Sequence, residues 1–205
     1  MASSTTIKEV RNPGPYRVSP IWKTLFPLFA LVGIACFVFA VIKQPNRAWP
    51  AFLHIYFYFM SLGVFGAFFV ALQHVTNAYW SVTVRRVAEA LICWLVFALG
   101  LGLVLFFFGR HELYEWTHHK VMAEDHLLHM KGNYLNSKFF FARLVGFIAL
   151  WIAFGFAMRS NSVKQDTTGD EKLTLSNIKL GTVFLPLFGV TYSLLAFDLL
   201  MSLEP

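Results

Sequence analysis

Apolar positions fall into five long runs separated by shorter polar segments. A transmembrane helix needs roughly 20 apolar residues, and each run is about that long. The predicted spans are 25–42, 51–72, 87–108, 139–158 and 180–203. The pattern therefore predicts an all-α integral membrane protein, a bundle of about five transmembrane helices.

The polar segments give the predicted organisation around these spans. Residues 1–23 form an N-terminal segment, residues 24–205 form the transmembrane bundle, and a polar loop at about 109–137 joins the third and fourth spans. Turn-forming residues at 44–46 and 169–170 mark two further breaks.

Basic residues in the connecting segments indicate the orientation of the chain. Ten Lys and Arg residues lie on the side of the N-terminus and six on the opposite side. Because cytoplasmic loops carry the excess of Lys and Arg, we expect a cytoplasmic N-terminus. The expected location is the bacterial inner membrane, which the chain crosses several times.

Two rows of small residues indicate close helix packing. They are Gly63, Ala67 and Ala71 in the second span, and Ala149, Ala153 and Ala157 in the fourth. Small residues at every fourth position let two helix backbones approach closely. The alternative is that small residues are simply frequent in membrane helices.

Composition agrees with a membrane protein and narrows the possible partners. Apolar residues make up 57% of the chain and charged residues 14%, whereas soluble domains carry about 25% charge. The net charge of +6 comes from basic residues beside the apolar runs, so we expect contacts with lipid head groups and none with nucleic acid. Cys36 and Cys93 lack the spacing of a disulfide, zinc or iron–sulfur site.

Ionisable residues near the cytoplasmic ends of the second and third spans form one candidate site: His74, Arg85, Arg86 and Glu89. On a helix, Glu89 can pair with either arginine, because they precede it by four and three residues. The group could be a proton entry site or a head-group contact. It could also be positive-inside anchoring with one local ion pair.

A second candidate site lies toward the outer ends of the spans and contains His54, Arg143 and Asp198. The predicted topology places Arg143 and Asp198 at similar depth in different helices. Ionisable residues in a membrane usually face the bundle interior and often mark proton paths. A buried Arg–Asp pair that only neutralises both charges is the structural alternative.

Histidines raise the question of two further kinds of site, a metal site and a haem site. Five of the seven lie in the polar loop, and His126 and His129 could share a helical face for a metal. A solvated amphipathic segment against a partner subunit is the alternative. A haem needs ligands that face each other from different helices. His54 and His74 both belong to the second span, so we do not expect this chain alone to ligate a haem.

Several stretches of the sequence form recognisable motifs: FFVALQHVT at 68–76, WSV at 80–82, RRVAEAL at 85–91, LYEWTH at 113–118, DHLL at 125–128, KGNYLN at 131–136, FF at 139–140 with Arg143, and AFDLLMSLEP at 196–205. Together they resemble one family, the second NrfD-like, quinone-binding-type membrane subunit of alternative complex III. The resemblance covers most of the chain from about residue 52. Leu199 stands where the family usually has Trp, and family members are about twice as long. We therefore expect the chain to correspond to the N-terminal half of such a subunit.

The resemblance implies a subunit of a quinol:electron-acceptor oxidoreductase, with cytochrome c or a similar acceptor. Expected partners are a second NrfD-like subunit, an iron–sulfur subunit, haem c subunits and a terminal oxidase. The redox centres would lie in those partners, and this chain alone would bind no cofactor beyond a quinone, quinol or lipid.

We expect this chain to provide scaffold and a proton pathway. The alternatives are a purely structural docking subunit and, less well supported, a secondary transporter, which would usually show repeated halves.

Overall fold

The computed structural model describes residues 19–118, 132 and 134–203, and these residues form helices and turns without a strand. We number the helices α1 (Pro20–Lys43), α2 (Pro45–Val75), α3 (Val82–Ile92), α4 (Trp94–Val104), α5 (Arg110–Leu113), α6 (Ser137–Thr168) and α7 (Glu171–Ala196). Short 3₁₀ segments lie at Tyr79–Ser81 and Glu115–Thr117, and π-helical segments at Leu105–Gly109 and Phe197–Met201.

Five helical stretches are long and apolar enough to cross a membrane. They are Pro20–Lys43, Pro45–Val75, Val84–Leu113, Ser137–Thr168 and Glu171–Met201. The prediction of an all-α, multi-pass membrane bundle is therefore confirmed. The breaks predicted at 44–46 and 169–170 are also found, because α1 ends at Lys43 and Gly169 adopts a left-handed conformation (φ 67°) after α6.

The chain divides into two compact units, Met1–Gln44 and Pro45–Pro205. Within the first unit, α1 exposes large apolar side chains such as Phe29 and Phe39, which are 61% and 63% accessible. Such a surface suits contact with lipid or with another membrane helix. The predicted N-terminal segment 1–23 lies almost wholly outside the described residues.

In the second unit, small residues of α2 allow close packing against α3 and α4. Gly63, Ala67 and Ala71 are all buried, as the first predicted row requires. At Gly66 the helices approach so closely that a Cβ atom would lie 2.6 Å from the carbonyl oxygen of Ala88. Backbone contact of this kind is how membrane helices pack without a hydrophobic driving force.

The second predicted row of small residues does not form a packing face within the described chain. Ala149 and Ala153 are exposed, whereas Ile148, Trp151 and Gly155 of the same helix are buried. Large side chains such as Ile148 and Trp151 therefore fill most of the core on this face of α6, and Gly155 packs closely against Ile92.

Helices α6 and α7 extend beyond their predicted limits. Helix α6 continues to Thr168 instead of ending at 158, and α7 begins at Glu171 instead of 180. Their polar ends bond to each other, since Gln165 Nε2 donates to Thr174 Oγ1 at 2.7 Å. Hydropathy alone could not reveal these polar turns, because cross-helix hydrogen bonds satisfy them.

Candidate functional site

The C-terminal end of α2 places Gln73 and His74 inside the bundle. The Ala78 amide donates to the Gln73 carbonyl (3.1 Å) and the Asn77 amide to the His74 carbonyl (3.3 Å). Asn77 is left-handed, with φ 50°. This is the Schellman arrangement of a helix end, in which asparagine tolerates positive φ. The turn ends α2 directly after its two buried polar residues.

Ion pairs link the start of α3 to the end of α6. Arg86 Nη1 donates to Glu89 Oε2 at 2.5 Å, and Arg85 Nε lies 3.8 Å from Glu89 Oε1. Both pairings expected from the i,i+3 and i,i+4 spacing are therefore present. Arg86 also pairs with Asp166 of α6. Glu89 is 2% exposed, and a carboxylate so buried needs such partners.

His74 is buried and bonds to α7 through an asparagine. Asn177 Nδ2 lies 3.3 Å from His74 Nε2 and donates to the Met158 carbonyl at 3.1 Å. Asn161 Nδ2 donates to Asn177 Oδ1 at 2.9 Å. The chain of amides therefore connects three helices at one buried point.

A polar cavity of about 320 Å³ opens beside these groups. It is large enough for several waters, at about 30 Å³ each. Among the described residues, Gln73 Oε1 and Arg85 Nε are buried without a hydrogen-bond partner. We call the whole arrangement the His74 cluster. The cavity is lined by Gln73, His74, Asn77, Ala78, Arg85, Gln165, Asp166 and Thr174, and Arg86, Glu89, Asn161 and Asn177 complete the cluster.

Arg143 and Asp198 form a buried bidentate pair at the other end of the bundle. Arg143 Nε donates to Asp198 Oδ2 at 2.5 Å and Arg143 Nη2 to Asp198 Oδ1 at 2.9 Å. The side chains are only 6% and 1% exposed. The prediction that both residues lie at similar depth is confirmed, and the fork geometry is the strongest that this kind of pair makes.

Two aromatic rings cover the Arg143 guanidinium. Its central carbon lies 4.0 Å from the Tyr134 ring centroid and 4.2 Å from that of Phe139. Desolvation raises the pKa of Tyr134, as do the charge of Asp198 and a hydrogen bond to it. In this hydrogen bond the phenol donates to the Asp198 carboxylate.

A π-helical turn carries Asp198 and is held by two hydroxyl groups. The Tyr114 hydroxyl donates to the Leu199 carbonyl at 3.2 Å, and the Ser202 hydroxyl donates to the Asp198 carbonyl. π-Helical turns occur often at functional sites. We call Tyr114, Tyr134, Phe139, Arg143, Asp198 and Ser202 the Arg143 cluster.

A mostly apolar layer, with one buried hydrogen bond from Trp151 Nε1 to Thr191 Oγ1 (2.9 Å), separates the two clusters. Arg143 and Asn161 lie on the same helix, about 27 Å apart at 1.5 Å per residue. Within this layer α2 buries Met60, Val64 and Val70. The described part of the chain therefore holds two separate polar stations rather than one continuous polar path.

His54 does not belong to the Arg143 cluster, which corrects the sequence-based grouping. Its side chain is exposed on α2, whereas Leu53 and Tyr56 turn inward. The 3.6-residue period directs His54 to the outer face. Of the loop histidines, His111 and His118 lie 6.0 Å apart by ring centroids, whereas His119, His126 and His129 fall outside the described residues. The described residues contain no group of three metal-ligating side chains.

A groove between α2 and α7 offers a third feature. Ser61 Oγ and Tyr192 Oη lie 2.9 Å apart at this surface. An apolar groove with one hydroxyl pair suits an acyl chain or a flat ring with one polar group. Its volume is about 400 Å³, and it is lined by Tyr58, Ser61, Leu62, Val64, Phe65, Phe68, Phe188 and Tyr192.

Several residues of these clusters were not predicted from the sequence: Tyr114, Tyr134, Asn161, Asp166 and Asn177. Asn161 and Asn177 could have been found from the sequence, because polar residues recur at helical spacing in 161–165 and 174–177. No comparable signal identifies the others, because their partners lie far away in the sequence.

Comparisons with known proteins leave the chain without an assigned family. No protein-family model matches the sequence, and no curated protein matches it. The chain is an all-α, multi-pass membrane protein, and its described residues form two buried clusters of ionisable side chains.

Proposed function

We propose that this chain is a membrane subunit of a quinol:electron-acceptor oxidoreductase complex, similar to the second NrfD-like subunit of alternative complex III. It supplies scaffold and two stations of a proton pathway. The buried ionisable clusters at the two ends of one helical bundle carry this proposal, because charges are placed in membranes chiefly on ion and proton paths. The proposed location is the bacterial inner membrane with a cytoplasmic N-terminus.

Each cluster has a distinct task in this proposal. At the cytoplasmic end, His74 and Glu89 exchange protons with solution, while Arg85 and Arg86 hold the Glu89 carboxylate. At the outer end, Asp198 accepts a proton as its bond to Arg143 opens and returns that proton to solution as the bond re-forms. Waters or a partner subunit bridge the apolar layer between the clusters.

Partners supply the redox chemistry in this proposal. Electrons pass through an iron–sulfur subunit and haem c subunits, with a second NrfD-like subunit beside this chain and a terminal oxidase downstream. The groove at Ser61 and Tyr192 supports contact with a lipid or a quinone, since it combines an apolar wall with one hydroxyl pair.

Neutralising each station is expected to impair proton movement. In the assembled complex, Glu89→Gln and Asp198→Asn should each slow proton-coupled quinol oxidation by about 10²-fold or more, the usual contribution of a proton-transfer group. Proton release and quinol oxidation are measured together on the same preparation. The double variant Arg143→Gln with Asp198→Asn removes the same acid without leaving a lone buried charge.

Exposed carboxylates provide matched controls. Glu171→Gln and Glu112→Gln change the same charge on exposed side chains, and both should keep normal rates. Unchanged rates and proton stoichiometry in Glu89→Gln and Asp198→Asn would contradict the proposal. If shortening of the loop at 118–129 abolished assembly while Asp198→Asn stayed fully active, a purely structural docking role would be favoured instead.

A further inference from the structure

The orientation of the Asn177 amide follows from its two other hydrogen bonds. The Met158 carbonyl oxygen can only accept, so the atom that approaches it at 3.1 Å must be the amide nitrogen. On the opposite side, Asn177 Oδ1 accepts from Asn161 Nδ2 at 2.9 Å. Reversing the amide would place two oxygens together at Met158 and two donors together at Asn161.

This orientation determines the protonation of His74. The second hydrogen of Asn177 Nδ2 is directed at His74 Nε2, which lies 3.3 Å away. A ring nitrogen that accepts a hydrogen bond carries no proton, so the neutral imidazole must carry its proton on Nδ1. Both side chains are almost completely buried, at 3% exposure for His74 and 0% for Asn177.

Close packing of two helices maintains this contact. At Gly181, one turn after Asn177, a Cβ atom would lie 3.0 Å from the Ala71 carbonyl oxygen. Because Gly181 has no side chain, α7 can approach α2 closely at Ala71, one turn before His74. The asparagine is therefore held within reach of the imidazole by the backbones as well as by its own bonds.

We propose that Asn177 is a positioning residue that fixes His74 as the neutral Nδ1–H tautomer. Protonation of Nε2 then requires the Asn177 amide to turn over or the imidazole to move away. Turning over gives up the bonds to Met158 and Asn161. A proton bound at His74 is thereby coupled to a change in the contact between α2, α6 and α7.

Charged groups near His74 come from two other helices. Arg85 of α3 and Asp166 of α6 line the same cavity, and Asp166 is already paired with Arg86. Arg85 lies 3.8 Å from Glu89 Oε1 on its own helix, and its positive charge opposes a second positive charge on His74. Within the cavity lining, α7 contributes the uncharged Thr174.

The tautomer can be measured directly by ¹⁵N NMR on histidine-labelled full-length protein in lipid nanodiscs. His74→Gln identifies the His74 signals among those of the seven histidines. We expect an unprotonated Nε2 and a protonated Nδ1 in the wild type. In Asn177→Asp the carboxylate accepts from the ring, so the Nε2 resonance should move to the range of a protonated nitrogen.

Asn161→Ala provides a second test if Asn177→Asp fails to fold. It removes the anchor of Asn177 Oδ1, so both His74 tautomers should become populated. Thr182→Ala is the control, because it removes an exposed hydroxyl that bonds within α7 to the Ile178 carbonyl, and it should leave the wild-type tautomer. A wild-type His74 protonated on Nε2, or a tautomer that stays the same in the Asn177 and Asn161 variants, would overturn the inference.

The importance of this tautomer for proton transfer rests on the proposed function, whereas the tautomer itself does not. Proton release measured on the assembled complex with His74→Gln distinguishes the proton pathway from the positioning role of Asn177. Normal release together with the expected NMR shifts would support the positioning role of Asn177 and contradict the proton pathway. Impaired release together with an Nε2–H tautomer would support the pathway and overturn the positioning role.

Discussion

Replacing Asp198 by leucine is expected to destabilise the folded bundle by about 3–5 kcal/mol, the usual result of removing one partner from a buried ion pair. The destabilisation comes from the unpaired charge of Arg143 rather than from the loss of its hydrogen bonds to Asp198. Arg143 would keep its charge at 6% exposure, with the rings of Tyr134 and Phe139 and the Tyr134 carbonyl as its remaining contacts. The free energy of unfolding, measured by denaturation in detergent micelles, checks this expectation.

Removing both charges should reverse most of this loss. In the double variant Arg143→Met with Asp198→Leu no charge remains buried, and apolar replacement of a buried pair is often neutral or stabilising. His54→Leu, on the exposed face of α2, is the control and should change stability by less than about 0.5 kcal/mol. If Asp198→Leu alone were as stable as the wild type, Arg143 would have to reach solvent or another anion.

A single methyl group at Gly66 is expected to have the second largest effect. In Gly66→Ala the new Cβ would lie 2.6 Å from the Ala88 carbonyl oxygen and 2.9 Å from Leu91 Cβ. A backbone atom cannot rotate away, so α2 and α3 must separate. Overpacking of this kind costs about 1–3 kcal/mol and occasionally more. Thermal unfolding in detergent, followed by circular dichroism, measures the loss.

Gly100→Ala is the matched control for this substitution. It makes the same change in α4, where a Cβ would meet nothing within 4 Å. Alanine also favours the helix over glycine, so this variant should be as stable as the wild type or slightly more stable. Equal stability of Gly66→Ala and Gly100→Ala would contradict the close approach of α2 and α3.

Much of the fold follows from the sequence because the membrane imposes a strong local rule. Every backbone polar group must be satisfied internally, so each long apolar run becomes a helix. All five spans were predicted in this way, although α6 and α7 proved longer. The pairing of Glu89 with Arg85 and Arg86 was predictable for the same reason, because residues three and four apart meet on any helix.

Other features were decided by the tertiary structure, since they join residues that are distant in the chain. The contact between His74 and Asn177 spans 103 positions, and the pair of Arg86 with Asp166 spans 80. His54 was grouped with Arg143 and Asp198 by its depth along the spans, and depth does not say which side chains meet; its side chain is exposed on α2. The sequence by itself determined the helices and the positions of the charges along them. Packing of α2, α3, α6 and α7 determined which charges meet, because only close approach of helices brings such side chains within hydrogen-bond reach.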